Sequence, residues 1–161
     1  MKKITRAAFA LSLALALGAG AADEMAEAKV GAMTVKTPAS WVRREAEGTV
    51  RYAAPTGEAF FDMDVGQVQR KGGMKADECL KKIIAGLGKA GFKQTKAGGQ
   101  PAAWKDEVDA DESGKKFADR TYVGCNGTTT WSIQFHFVEE KRAQYAPVAD
   151  QVFKSVGYEK K

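Results

Sequence analysis

The strongest constraint on the fold lies in residues 128–138, where large apolar and polar side chains alternate one by one. The apolar positions are Trp131, Ile133, Phe135 and Phe137, and the polar positions are Thr130, Ser132, Gln134 and His136. A period of two is typical of a β-strand with one buried face and one wetter face. The pair Asn126-Gly127 precedes this stretch and is a strong hairpin signal, so it predicts an antiparallel strand immediately before it.

The same patterns predict the other elements of the chain. Further strands are predicted at residues 33–35, 49–53, 59–68, 101–109 and 116–125, and amphipathic helices at residues 74–91 and 139–156. Short links between strands favour antiparallel pairing, and helices kept apart from the strands pack as separate layers. The predicted fold class is therefore α+β. Its antiparallel sheet has about six strands and packs with a mid-chain helix and a C-terminal helix.

Residues 1–22 have the pattern of a secretory signal peptide, with a basic start, an apolar stretch at residues 7–17 and small residues before the first acid. They carry three of the 25 basic residues and none of the 20 acidic ones, so the remainder has a net charge of +2 instead of +5. We expect a periplasmic or secreted protein without a nucleic-acid partner and without stable membrane insertion after cleavage. Residues 23–31 are expected to be a flexible lead-in, and residues 32–161 a single domain.

Export changes the interpretation of the two cysteines, because disulfides persist in oxidising compartments. Cys79 falls in the predicted mid-chain helix and Cys125 ends a predicted strand. A disulfide between them would staple that helix to the sheet, and two buried free thiols are the alternative. The chain has no C-x-x-C pair to indicate a redox site.

The candidate binding residues are polar or aromatic side chains expected at the surface. They are Ser132, Gln134 and His136 on the wetter strand face, and Trp41 beside a proline turn. His136 is the one histidine of the chain, and Ser132 lies four residues before it, about 13 Å away along an extended strand. That separation and the lack of a third group argue against His136 as a general base.

Two alternatives involve carboxylates. The start of a calcium loop is matched by three oxygen-bearing residues, Asp109, Asp111 and Ser113. However, Arg120 occupies the position at which such a loop needs a bidentate Glu. A hydrolase could use pairs of acids, for which the candidates are Asp62, Asp64, Asp106 and Glu107. Exposed acids on strands occur more often for solubility, so neither alternative is preferred.

Two stretches of the sequence resemble the PsbP-like family of α/β/α sandwiches. They are Val35-x-x-Pro38-x-x-Trp41 at the start of the domain and Val-Phe-x-Ser-Val at residues 152–156, around the same order of helices and strands. That family includes the extrinsic photosystem II subunit PsbP and many small exported bacterial proteins. The resemblance implies a non-enzymatic accessory or binding domain without a cofactor, and it brings no catalytic motif. An envelope protein or a small ligand is the expected partner.

Overall fold

The computed structural model describes residues 24–88 and 90–159, which form an α+β fold. In chain order the elements are β1 (Met25–Val30), β2 (Met33–Pro38), β3 (Val42–Ala46), β4 (Thr49–Ala53), β5 (Ala59–Gln67), α1 (Ala76–Gly86), β6 (Lys93–Ala97), β7 (Gln100–Ala110), β8 (Lys116–Cys125), β9 (Thr129–Val138), a 3₁₀ turn (Glu139–Lys141), α2 (Arg142–Lys154) and β10 (Gly157–Tyr158). Within the described residues, a seven-stranded sheet has the order β3-β4-β5-β9-β8-β7-β6, and a three-stranded sheet has the order β1-β2-β10. All strand pairs are antiparallel.

The predicted fold class is confirmed, although the described part of the chain has ten strands in two sheets where about six strands were expected. The strands that the sequence did not reveal lie mostly at sheet edges. All five residues of β3 are exposed, and β6 buries only Ala97. An edge strand pairs on one side and needs no apolar face, so it carries little of the alternation by which strands are predicted.

The expectation of a flexible lead-in at residues 23–31 is wrong for Met25–Val30, which forms β1. This strand pairs with β2 from Met25 opposite Pro38 to Val30 opposite Met33. Its own side chains are mostly small or charged, so its order comes from backbone pairing with a partner strand that is well buried. Residue 23 and the predicted signal peptide, residues 1–22, lie outside the described residues.

One face of the larger sheet packs against α2 and the smaller sheet to form the main core. The alternate residues of β9 that were predicted to be buried, Trp131, Ile133, Phe135 and Phe137, are at most 3% exposed. The helix contributes Tyr145, Ala149, Val152 and Phe153 to the same core. Burial of these large apolar side chains is the main stabilising contribution to the fold.

Ion pairs of the buried Arg120 fix α2 to the sheet at the border of this core. The guanidinium of Arg120 donates hydrogen bonds to Asp106 at 3.1 Å and to Asp150 at 2.9 Å. Tyr122 donates to the same Asp150 at 2.8 Å, and burial raises the pKa of this tyrosine, so its hydroxyl stays protonated as a donor. Arg142 of α2 also donates to Asp106. The helix is therefore held by directional contacts as well as by its apolar residues.

The second face of the larger sheet is only partly covered. Helix α1 lies over β7 and β8, where Leu80 packs with Ala103 and Val123. A disulfide between Cys79 and Cys125 joins the first turn of this helix to the end of β8. No helix of the described residues covers the neighbouring strands β9, β5 and β4 on this face. The uncovered strands and the side of α1 therefore form a groove.

Candidate functional site

The groove between α1 and the uncovered strands is open to solvent and has a volume of about 600 Å³, and we call it the α1 groove. Its floor is the wetter face of β9, with Thr130, Ser132 and Gln134. One wall comes from the side of α1, with Lys82 and Ile83, and from Leu87 just after the helix. The opposite wall comes from β5 and from the turn between β3 and β4. The volume lies within the range of about 300–1,000 Å³ that is typical of ligand sites.

Two glycines leave space in this groove. A Cβ atom at Gly66 would lie 2.9 Å from the hydroxyl oxygen of Thr130, so a side chain there would crowd the floor. A Cβ atom at Gly86, at the end of α1, would meet nothing within 4 Å because it would project into open space. Gly86 is therefore a position where a side chain can fill the groove without disturbing the packed parts of the protein.

The structure brings together two of the three polar residues that the sequence singled out on β9. Ser132 and Gln134 line the α1 groove, whereas His136 lies beyond it on the same strand. The imidazole of His136 stacks between the rings of Phe60 and Phe117, at centroid distances of 5.0 and 4.8 Å. Its Nδ1 atom lies 2.8 Å from a carboxylate oxygen of Asp119. These cross-strand contacts give His136 a role in the sheet that is separate from the groove.

The expectation that Trp41 is an exposed contact is wrong, because its side chain is buried at 6% exposure. Its ring packs against Phe61 at a centroid distance of 5.5 Å and against Tyr145 of α2 at 6.1 Å. The backbone N–H of Trp41 donates to the carbonyl of Pro38, so the proline turn directs the indole into the core instead of toward solvent. Trp41 thus belongs to the main core.

The cysteine pair lies where a bridge was predicted. The two sulfur atoms are 2.05 Å apart, and the Cα atoms of Cys79 and Cys125 are 6.1 Å apart. Both residues are buried, at 3% and 0% exposure. The bridge fixes the start of α1, and with it the position of the helix wall of the α1 groove.

The hydrogen bonds of the proposed calcium site lie within the hairpin turn between β7 and β8. A single carboxylate oxygen of Asp111 accepts hydrogen bonds from the Ser113 hydroxyl, the Ser113 N–H and the Lys115 N–H. The Ser113 hydroxyl is the main reason that the pKa of Asp111 is lowered. Asp109 lies in β7 before this turn, where it pairs with Phe117 of β8. Within residues 24–88 and 90–159 no group of three or more His, Cys, Asp or Glu side chains is placed to hold a metal ion.

The four acids proposed for a hydrolase do not converge. Asp62 accepts two hydrogen bonds from Arg51, both at 2.7 Å, and Asp64 accepts one from Thr49. Asp106 is held by Arg120 and Arg142 on the other face of the sheet, and Glu107 pairs with Lys105. Asp64 is the member of this set that lines the α1 groove.

The groove has one acidic wall that the sequence interpretation missed. Glu47 and Asp64 lie on the wall opposite α1, and Lys82 is the cation among the residues that line the groove. Glu47 follows β3, an exposed strand that was not predicted, so the sequence did not indicate that Glu47 lies beside the groove. The available signal was the pair Glu47-Gly48 between two strands, which marks a two-residue hairpin turn.

The sequence matches no protein-family model and no curated protein sequence. Solved structures match its fold. A crystal structure from Bacteroides thetaiotaomicron VPI-5482 has a TM-score of 0.68 and 13% identity over 86% of this chain, which spans 49% of that longer chain.

Two further matches cover most of both chains. The solution structure of the cyanobacterial PsbP, CyanoP, from Synechocystis sp. PCC 6803 has a TM-score of 0.59 and 9% identity, and covers 88% of this chain and 96% of CyanoP. The crystal structure of LpqN, involved in cell envelope biogenesis of Mycobacterium tuberculosis, has a TM-score of 0.57 and 12% identity, and covers 83% of this chain and 90% of LpqN. The chain therefore has the PsbP-like α+β fold, as its sequence resemblance predicted. At these identities the likeness concerns the fold alone.

Proposed function

We propose that the mature chain is an exported accessory protein that binds part of a partner from the cell envelope in the α1 groove. The observation that carries this proposal is the groove itself, with the apolar Ile83 and Leu87 on one wall and a polar floor on the sheet face opposite the main core. Such a combination of apolar walls and a few polar groups is typical of binding sites. A ligand can occupy this face without displacing α2.

Export is supported by three independent observations. Residues 1–22 have the signal-peptide pattern, and the chain carries a disulfide of a kind that is rare in reducing compartments. LpqN, which shares the fold, is involved in cell envelope biogenesis. Among the described residues, no helix is both long enough and apolar enough to span a bilayer.

Photo-crosslinking in living cells tests the groove as the contact surface. A benzoylphenylalanine placed at Leu87, in the groove, is expected to yield a discrete adduct with an envelope protein. The same probe at Val108, outside the groove, is expected to yield none. The two positions form a matched pair, because the native side chains are 47% and 48% exposed. Equal adducts at both positions, or none at Leu87, would contradict the proposal.

Filling the groove is expected to abolish this contact. The substitution Gly86→Leu places a side chain in open space at the end of a helix, where leucine is favoured over glycine by up to about 1 kcal/mol. Because the new side chain occupies the groove, we expect a loss of adduct of about tenfold from a probe at Gln134, equivalent to about 1.4 kcal/mol. The melting temperature should be unchanged or higher.

The control is Ala85→Leu, one residue earlier on the same helix but beside a different depression of the surface. It adds a similar side chain without entering the α1 groove, so the adduct should persist. A Gly86→Leu protein that is folded and still forms the full amount of adduct would rule out the groove as the binding site.

A further inference from the structure

We infer that the α1 groove takes an extended peptide segment of the partner protein, in which large apolar and basic residues point to opposite walls. This inference rests on the proposed function and specifies the ligand of the same site. It follows from the spacing of the floor residues, from the chemistry of the two walls and from the backbone conformation of one turn.

The floor repeats with the period of an extended chain. Thr130, Ser132 and Gln134 are alternate residues of β9, so their side chains recur about every 7 Å along the groove. The main-chain N–H and C=O groups on one side of an extended peptide recur with the same spacing. A row of two hydroxyls and one amide can therefore pair with successive main-chain groups of a peptide that lies along β9. A compact ligand would reach only part of the row.

The two walls differ in chemistry. Ile83 of α1 and Leu87 just after it are four residues apart and form an apolar surface on one side. Glu47 and Asp64 face them from the other side, and neither forms an ion pair with a described residue. Lys82, on the α1 side, is the cation of the lining, so the two carboxylates leave the groove with a net negative charge. The groove is thus complementary to a segment that is both apolar and basic.

The alternation of side chains in an extended peptide sets the spacing of this segment. Successive side chains point in opposite directions, so one row faces the helix wall and the next row faces the carboxylates. Apolar residues are therefore expected at positions of one parity, and Lys or Arg at positions of the other parity. This pattern distinguishes an extended segment from a helical one, which would present residues three or four apart.

The turn that carries Glu47 supports a role for its charge. Glu47-Gly48 links β3 to β4, with φ angles of 51° and 86°, so both residues adopt left-handed conformations. Such turns favour Asn-Gly or Asp-Gly, and glutamate adopts this conformation at a cost. The turn thus places a longer carboxylate side chain beside the groove against its own conformational preference. Strained residues of this kind cluster at functional sites.

Selection from a phage library of random seven-residue peptides against the mature protein tests the ligand class. We expect enriched sequences in which large apolar residues and Lys or Arg occupy positions of opposite parity. Synthetic versions of these peptides should bind in solution, more weakly at 0.5 M than at 0.05 M salt because charge pairs are screened. Binding should be lost in the Gly86→Leu protein. Enrichment of acidic peptides, or of no common pattern, would overturn the inference.

Charge substitutions provide the sharper test. Glu47→Asn is expected to weaken peptide binding about two- to fivefold while raising the melting temperature, because asparagine suits the left-handed turn. If Glu47 had only a structural role, the substitution would raise the melting temperature without weakening peptide binding. Asp64→Asn should weaken binding by a similar factor. The control is Glu112→Gln, which removes one negative charge from an exposed hairpin away from the groove and should leave binding unchanged.

The two proposals fail in different ways. If the Leu87 probe forms its adduct in cells but no peptide is enriched, the groove binds a partner and the peptide class is wrong. If peptides are enriched but bind equally well to the Gly86→Leu protein, they bind elsewhere and the inference fails. If the peptides need Gly86 but are insensitive to both Glu47→Asn and Asp64→Asn, the acidic wall does not select basic residues and that part of the inference is overturned.

Discussion

A protein with both Cys79→Ala and Cys125→Ala is expected to lose about 4 kcal/mol of unfolding free energy relative to the oxidised wild type. The bridge joins residues 46 apart, and in the chain-entropy model a loop of that length constrains the unfolded chain by about this amount. Urea denaturation of the two proteins in the same buffer measures the difference. Alanine is preferred to serine because both positions are buried and a hydroxyl there would add its own desolvation cost.

The loss should be accompanied by local release of α1. Within this helix only Cys79 and Leu80 are buried, so the bridge and one small apolar cluster hold it against the sheet. Amide exchange in α1 is expected to increase more than exchange in β9. Thiol titration of the denatured, unreduced wild type is the control and should detect no free thiol. Two reactive thiols, or a loss below about 1 kcal/mol, would contradict a stabilising bridge.

Trp41→Ala is expected to lower the unfolding free energy by about 4 kcal/mol, which is typical of a buried tryptophan. The indole is 6% exposed and lies between Phe61 on the sheet and Tyr145 on α2, so its removal leaves a cavity where the two layers meet. Urea denaturation followed by circular dichroism measures this change without depending on tryptophan fluorescence.

The matched control is Val42→Ala at the next residue. Val42 is 51% exposed on an edge strand, and its truncation should change stability by less than about 0.5 kcal/mol. If Trp41→Ala left stability intact but removed the crosslink to an envelope protein, the side chain would act as a surface contact and its place in the core would be wrong.

The strands that could be predicted are those that separate an apolar face from a polar one. In β9 the two faces have distinct environments, and the alternation predicted both the strand and its buried face. The edge strand β3 has solvent on both faces, so its sequence Val-Arg-Arg-Glu-Ala carried no such signal. Strand β10 has only two residues, Gly157 and Tyr158, and depends on its pairing with β2. Such strands are specified by their neighbours.

The candidate site was predicted in part for the same reason. Ser132 and Gln134 share a strand face, and periodicity is sufficient to place them together. The opposite walls of the groove come from a helix and a hairpin turn that are distant in sequence, and no local pattern predicts that Gly86 and Glu47 line the same groove. Trp41 was misplaced because a proline turn is compatible with an exposed or a buried aromatic residue, and only the packing of α2 decides between them.

The position of the bridge in the chain also has a consequence for biogenesis. The covalent loop is complete at residue 125, before the central strand β9 and the closing helix α2. In a polypeptide that is translocated with its N-terminus first, an oxidase would meet both thiols while residues 126–161 are still missing. The sequence has no third cysteine, so mispaired intermediates within one molecule cannot arise. Oxidation can therefore precede assembly of the sheet without needing an isomerase to correct it.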